Sequence, residues 1–133
     1  MEIIPESHRD LLEDGTQAYV YLATIMADGS PQVTPVWFNT SGDTILLNSA
    51  KGRVKDKNMR RRPAVALCIQ DPANPYRYLQ IRGRVVEITE EGADEHIDAL
   101  AGKYTGNFKY KNHQPGVKRV TYKIIQEKVD AHG

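Results

Sequence analysis

The sequence predicts a mainly β domain in which six antiparallel strands form a small Greek-key barrel flanked by short helices. Three observations lead there. Runs rich in β-branched and aromatic residues recur along the chain, separated by short turn signals. A short basic helix interrupts them after the third run, too poor in apolar residues to bury more than a thin stripe. One longer helix, with apolar residues at helical spacing, follows the fifth run.

The elements follow in order. Ser7 caps a first short helix, with Asp10 three residues on, Leu11 and Leu12 on the buried side and Gly15 at its end. Ala18 to Met26 is the first strand, and Asp28-Gly29 is a hairpin turn signal. The return strand is Gln32 to Asn39; Ser41-Gly42-Asp43 then turns into a third strand, Thr44 to Ser49, completing a meander. Arg53 to Arg61 is the basic helix, with Val54 and Met59 as its inward stripe and Pro63 as its stop. Ala64 to Gln70 is the fourth strand, and Asp71-Pro72-Ala73-Asn74-Pro75 is a loop. Tyr76 to Ile88 is a long fifth strand that Gly83 bends or bulges. Glu90 to Tyr104 is a helix in which Ala93, Ile97, Leu100 and Ala101 share one face. A polar, aromatic loop from Thr105 to Pro115 precedes the last strand, Lys118 to Val129. With no repeat, low-complexity tract or linker, residues 1–133 read as one domain.

Composition narrows the class. The chain carries a net charge of +1, with 26% charged and 40% hydrophobic residues, as soluble globular proteins do. The single cysteine, Cys68, excludes an intrachain disulfide and sits in the apolar run Ala64 to Ile69, where a buried, inert thiol is expected. The stretch Met1 to Asp10 lacks the apolar core of a signal peptide, and no run approaches the ~20 apolar residues that span a bilayer. The expectation is a cytoplasmic protein without membrane contact.

Against that neutral background, Lys51 to Arg62 holds seven basic residues and one acid. The cluster follows the third strand directly, and Gly52 marks the turn. A strand, a glycine turn and a basic helix start suit a phosphate, because unpaired backbone N–H groups and cationic side chains converge there. The same cluster could meet nucleic acid or simply be a solvated face. Nucleic acid is disfavoured because the rest of the chain is not basic. Helix geometry places Arg53 and Lys57 on one face and Lys55 and Asn58 on another, so not all the cations reach one anion.

Two further features stand out. Pro35 inside a strand removes a ladder donor, which suits an edge strand with Trp37 in the core or a strand interrupted toward a ligand. Along Tyr76 to Val85, alternation puts Arg77 on the side shared by Leu79, Ile81 and Val85, as a ligand contact, a subunit contact or a rim arginine. His8, His96, His113 and His132 are scattered without metal spacing, and His96 falls on the polar part of its helix. No nucleophile–histidine set or carboxylate pair is visible, so any redox chemistry belongs to a bound cofactor.

Taken together, Leu22-Ala23-Thr24, Asp28 to Trp37, Ala50-Lys51-Gly52-Arg53-Val54-Lys55 with Asn58-Met59-Arg60-Arg61 and Pro63, and Tyr76-Arg77-Tyr78 with Ile81-Arg82-Gly83 resemble the pyridoxamine-phosphate-oxidase-like split-barrel proteins. The pattern covers Leu12 to Val129 and is most similar to their deazaflavin-dependent branch, the flavin/deazaflavin oxidoreductases of group B. The resemblance implies a homodimer of FMN-binding-type split barrels with two cofactor clefts between subunits. It implies that Arg53, Lys55 and Asn58 hold the cofactor phosphate and tail, and that Gln32, Thr34, Pro35 and Val36 line the ring system. Asn48 and Ser49 would lie beside it, with Arg77 and Tyr78 reaching in from the partner. The implied cofactor is coenzyme F-420, with FMN as the alternative. The implied activity is hydride transfer with a conjugated small molecule; the non-catalytic alternative is a flavin- or tetrapyrrole-binding module. The chain is shorter than true pyridoxamine phosphate oxidases and does not match their substrate-binding C-terminal segment, which argues against the vitamin B6 reaction.

Overall fold

The computed structural model describes residues 3–133; Met1 and Glu2, which open the stretch read for a leader, lie outside the described residues. Strands β1 (Val20–Ile25), β2 (Pro31–Val36), β3 (Phe38–Ser41) and β4 (Thr44–Ala50) come first, then helix α1 (Val54–Arg61). Strands β5 (Ala64–Asp71) and β6 (Asn74–Thr89), helix α2 (Ala93–Thr105) and strand β7 (Arg119–His132) follow. The sheet order is β2-β1-β5-β6-β7-β4-β3, and every neighbouring pair is antiparallel. β2 and β3 end the order on opposite sides, yet only Trp37 separates them in sequence. The sheet must therefore curl until its edges approach, which makes it a split barrel.

That corner explains the one difference in strand count. The expected second strand, Gln32 to Asn39, divides at Trp37: its first part pairs with β1, its second with β4. Seven strands result where six were expected. Pro35 sits in β2, at one end of the sheet order, as its missing N–H requires. The expected loop at Asp71 to Pro75 shortens to a tight hairpin, with Asp71 opposite Asn74.

The first helix differs more. Glu6–Leu12 and Asp14–Thr16 are 3₁₀ turns, Ser7 caps neither, and Gly15 lies within the second. The Ser7 hydroxyl instead bonds the His8 ring at 2.8 Å. Leu11 and Leu12 are buried as expected.

Inside the barrel, Val20, Leu22, Phe38, Ile45, Leu47, Leu67, Ile69, Leu79, Ile81, Val120, Tyr122 and Ile124 form one apolar cluster. The predicted face of α2, Ala93, Ile97, Leu100 and Ala101, is buried throughout. Cys68 is only partly buried, and burial raises its thiol pKa. α1 departs from expectation: Val54 is exposed, and the buried set is Asp56, Asn58 and Met59. This helix is held mainly through polar side chains.

Gly83 sits at a register shift between β6 and β7. A Cβ there would lie 2.7 Å from the Ile125 carbonyl oxygen and 3.0 Å from Ile124 Cγ2. The backbone oxygen cannot rotate away, so Gly83→Ala is expected to cost about 1–3 kcal/mol of stability, read from denaturant unfolding.

Candidate functional site

The site begins where β4 leaves the sheet. Gly52 takes φ +94°, which only glycine adopts cheaply, and Arg53 forms the extended residue before α1. Asp56, in the first turn of α1, accepts the Gly52 N–H at 2.8 Å, the Tyr122 hydroxyl at 2.5 Å and Arg60 Nε at 3.0 Å. Burial pushes its carboxyl upward, but these donors outweigh it and hold the pKa below the usual value. One carboxylate thus ties the turn, the helix and β7 together.

The basic cluster is thereby sorted. Arg60 serves Asp56, Arg62 bonds the Ile25 carbonyl at 2.7 Å, and Lys51 pairs with Glu90 at 2.9 Å. Lys57 and Arg61 face solvent. Arg53 and Lys55 instead line a cleft of about 340 Å³ whose apolar wall is Pro35, Val36, Trp37, Ile97 and Leu100. Arg53 and Lys57 do not share a helix face as expected: Arg53 is the extended residue before α1 and lines the cleft, whereas Lys57 faces solvent.

Asn48 and Arg119 complete the polar wall. Among the described residues, no carboxylate is ion-paired with Arg53, Lys55 or Arg119. Burial, then the charges of Arg53 and Arg119, lowers the Lys55 pKa. Burial first, with Arg53 contributing, lowers that of Arg119. Cations crowded together without an ion-paired carboxylate are relieved when an anion binds. The cleft shares Arg53, Tyr110, Asn112 and Arg119 with a second opening of about 670 Å³ that reaches Lys51 and Lys118.

A stacked aromatic column flanks the apolar wall. The Tyr104 ring lies 5.2 Å from both Tyr19 and Trp37, nearly parallel to each, and Trp37 meets Tyr110 edge-on at 6.2 Å. This wall suits a planar ring.

Of the residues expected at the site, Pro35, Val36, Asn48, Arg53 and Lys55 come together in the cleft. Thr34 is at its margin, 3.4 Å from Lys55 Nζ. Gln32 is turned to Thr24, whose hydroxyl donates to it at 3.1 Å. Asn58 is buried and braces the fold, donating to Thr24 Oγ1 at 3.0 Å and accepting from Arg62. Ser49 is buried and alternates with Asn48, placing it on the core face with Ile45 and Leu47. Arg77 is committed within its own chain to Asp10, Asp71 and the Ser7 carbonyl, and Tyr78 stacks on His132 at 4.8 Å.

Sequence reasoning missed Arg119, Asp56 and His96. Arg119 left no local signal: alternation puts it with Thr121 and Lys123, on the face opposite the core residues Val120, Tyr122 and Ile124. His96 was expected on a polar face but is largely enclosed, with its Nε2 2.8 Å from Asn39 Oδ1. Burial, helped by the Arg119 charge, lowers its pKa to about 4. Between pH ~6.5 and ~4 the unfolded chain takes up a proton here that the folded chain refuses, so stability falls as pH drops through that window. The slope from this ring is at most about 1.4 kcal/mol per pH unit. His96→Gln is expected to flatten it in urea unfolding series.

The pyridoxamine 5'-phosphate oxidase family model matches residues 4–132. A solved structure named F420 reductase is 31% identical, superposes with a TM-score of 0.83, and covers 96% of this chain and 98% of its own. A conserved hypothetical protein from Mycobacterium tuberculosis is 24% identical with a TM-score of 0.76, covering 98% of this chain and 85% of its own. A pyridoxamine 5'-phosphate oxidase-related, FMN-binding protein from Nostoc punctiforme shares the fold at 14% identity, with a TM-score of 0.67 and coverage of 98% and 86%. No curated protein matches by sequence. Among the described residues no group of three metal-ligating side chains occurs, and no helix is long and apolar enough to cross a membrane.

Proposed function

Since the chain belongs to the pyridoxamine 5'-phosphate oxidase family, we propose that it is an oxidoreductase using coenzyme F-420 to exchange hydride with a conjugated small molecule. The observation that carries this reading is the convergence of Arg53, Lys55 and Arg119, unpaired with any carboxylate among the described residues, beside an apolar and aromatic wall. The likeness to a structure named F420 reductase supports the deazaflavin over other cofactors.

The residues fit such a group. Arg53 and Lys55 offer charged donors to a phosphate, and Arg119 adds a third. Pro35 and Val36, on the edge strand β2, offer a flat backbone surface against which a ring can lie. The bound deazaflavin supplies hydride chemistry; the protein's part is to position the ring and limit water. Among the described residues, the cleft lining contains no carboxylate to act as a general acid, and none is assigned. In this reading the protein is a homodimer, with Tyr78 of a second copy closing the cleft. Arg77 would join it only by exchanging its ion pairs with Asp10 and Asp71.

FMN carries a phosphate and a tricyclic ring as well, so the same cleft is its alternative home. Parallel titrations of the purified protein with F-420 and FMN, followed by assay of reduced-cofactor oxidation with a panel of enones and quinones, test the proposal. Tighter binding of F-420 with substrate-dependent oxidation supports it; FMN binding alone replaces it with the flavin reading; no binding of either removes it.

A further inference from the structure

We infer that Asn39, His96 and Asn48 form a hydrogen-bond chain of fixed polarity that aims Arg119 into the cleft, making His96 a positioning residue for the anion site. The inference rests on the proposed role of Arg119 as an anion ligand.

The polarity follows from two groups that cannot change roles. Arginine only donates, and Arg119 Nε lies 2.9 Å from the Asn48 side-chain oxygen, which must accept. A backbone carbonyl only accepts, and Ala93 O lies 2.9 Å from Asn48 Nδ2. Both fix the Asn48 amide the same way round. Its Nδ2 also lies 3.1 Å from His96 Nδ1, so that ring nitrogen is the acceptor and carries no proton. The proton of the neutral ring is then on Nε2, where Asn39 Oδ1 accepts it at 2.8 Å. The Thr121 hydroxyl also lies 3.1 Å from Nδ1, whose single lone pair the two donors share.

The consequence falls on Arg119. The residue is 8% exposed, and its Nε is spent on Asn48. Its guanidinium lies 5.2 Å from the Tyr110 ring centre, held by one face as well as one edge. What remains are the terminal NH₂ groups, directed by this bracket to the wall shared with Arg53 and Lys55. A guanidinium fixed in advance loses less entropy on binding an anion than a free one. A protonated His96 would present a donor to the Asn48 amide, opposing its orientation and repelling Arg119. The neutral ring is therefore part of the device.

Two measurements decide it. In the protein without ligand, nitrogen-15 NMR at about pH 7 should show His96 as the Nε2–H tautomer and an exchange-protected Arg119 Nε–H, with that protection lost in His96→Phe. Titration with F-420 and with FMN should show Arg119→Ala weaker by about 10–100-fold, as expected for a lost charged hydrogen bond. His96→Phe should be weaker by roughly 3–10-fold, a part of that loss. His96→Gln can accept from Asn48 and donate to Asn39, and should bind within about twofold of wild type. If His96→Phe does not fold, Asn39→Leu cuts the same chain at its outer end. Wild-type affinity in His96→Phe or Asn39→Leu beside a weakened Arg119→Ala overturns the positioning role and leaves the proposed function standing. Wild-type affinity in both Arg119→Ala and Arg53→Ala overturns the anion-site reading itself. An Nδ1–H tautomer or an unprotected Arg119 Nε–H overturns the chain whatever the titrations show.

Discussion

Arg53→Ala/Lys55→Ala is expected to bind coenzyme F-420 at least about 100-fold more weakly than wild type, since each lost charged hydrogen bond is worth about 1.5–3 kcal/mol. The matched control is Lys57→Ala/Arg61→Ala, which removes the same charge from the same segment but from residues that face solvent. Salt screens exposed charges over about 10 Å at 0.1 M, so this control should change affinity only slightly at that ionic strength. Equal losses in the two double variants would mean that the segment attracts anions by its overall charge, and that the cleft has no special claim on them. Fluorescence titration at two salt concentrations separates these outcomes.

The largest expected loss of stability comes from Asp56→Ala. It strands the Gly52 N–H and the Tyr122 hydroxyl, the latter on a side chain with no exposure, and leaves Arg60 without its carboxylate. Orphaning the buried Tyr122 hydroxyl costs about 1–3 kcal/mol, and the Gly52 N–H and Arg60, both on exposed residues, add less, so a total of roughly 2–4 kcal/mol is expected in denaturant unfolding. The pH dependence has a definite sign. The folded-state pKa of Asp56 lies below its ordinary 3.8. Its contribution is therefore complete above that value and disappears as pH falls through the folded-state pKa. The deficit of Asp56→Ala should accordingly narrow in strong acid. Because Asp56 also anchors the turn before Arg53, the variant should lose cofactor affinity even where it remains folded.

The barrel was legible because strand periodicity and turn chemistry are local. Ala93, Ile97, Leu100 and Ala101 declared the buried face of α2, and Pro35 declared an edge. The split at Trp37 was not legible, since it arises from sheet closure, and nothing local distinguishes a corner from a continuous strand. The opening helix misled because Ser7 has the right residue type for a cap, while its hydroxyl turns to the His8 ring. At the site, residues on one continuous segment, from Asn48 to Lys55, could be grouped from sequence. Arg119, which contacts Asn48 across 71 positions, could not, because β4 and β7 become neighbours only in the folded sheet. Asn58 shows the reverse: helix position brought it near the cations, but its amide is taken by Thr24 and Arg62. Asp56 read as the lone acid in a basic run and is the buried hub of that run.

The central claim is that the cations beside β4 hold the anionic end of a tricyclic redox cofactor. A crystal structure of the protein soaked with F-420 tests it most directly. The account predicts phosphate oxygens within hydrogen-bond distance of Arg53, Lys55 and Arg119, with the ring against Pro35 and Val36. Bound F-420 whose phosphate contacts none of these three side chains would contradict it.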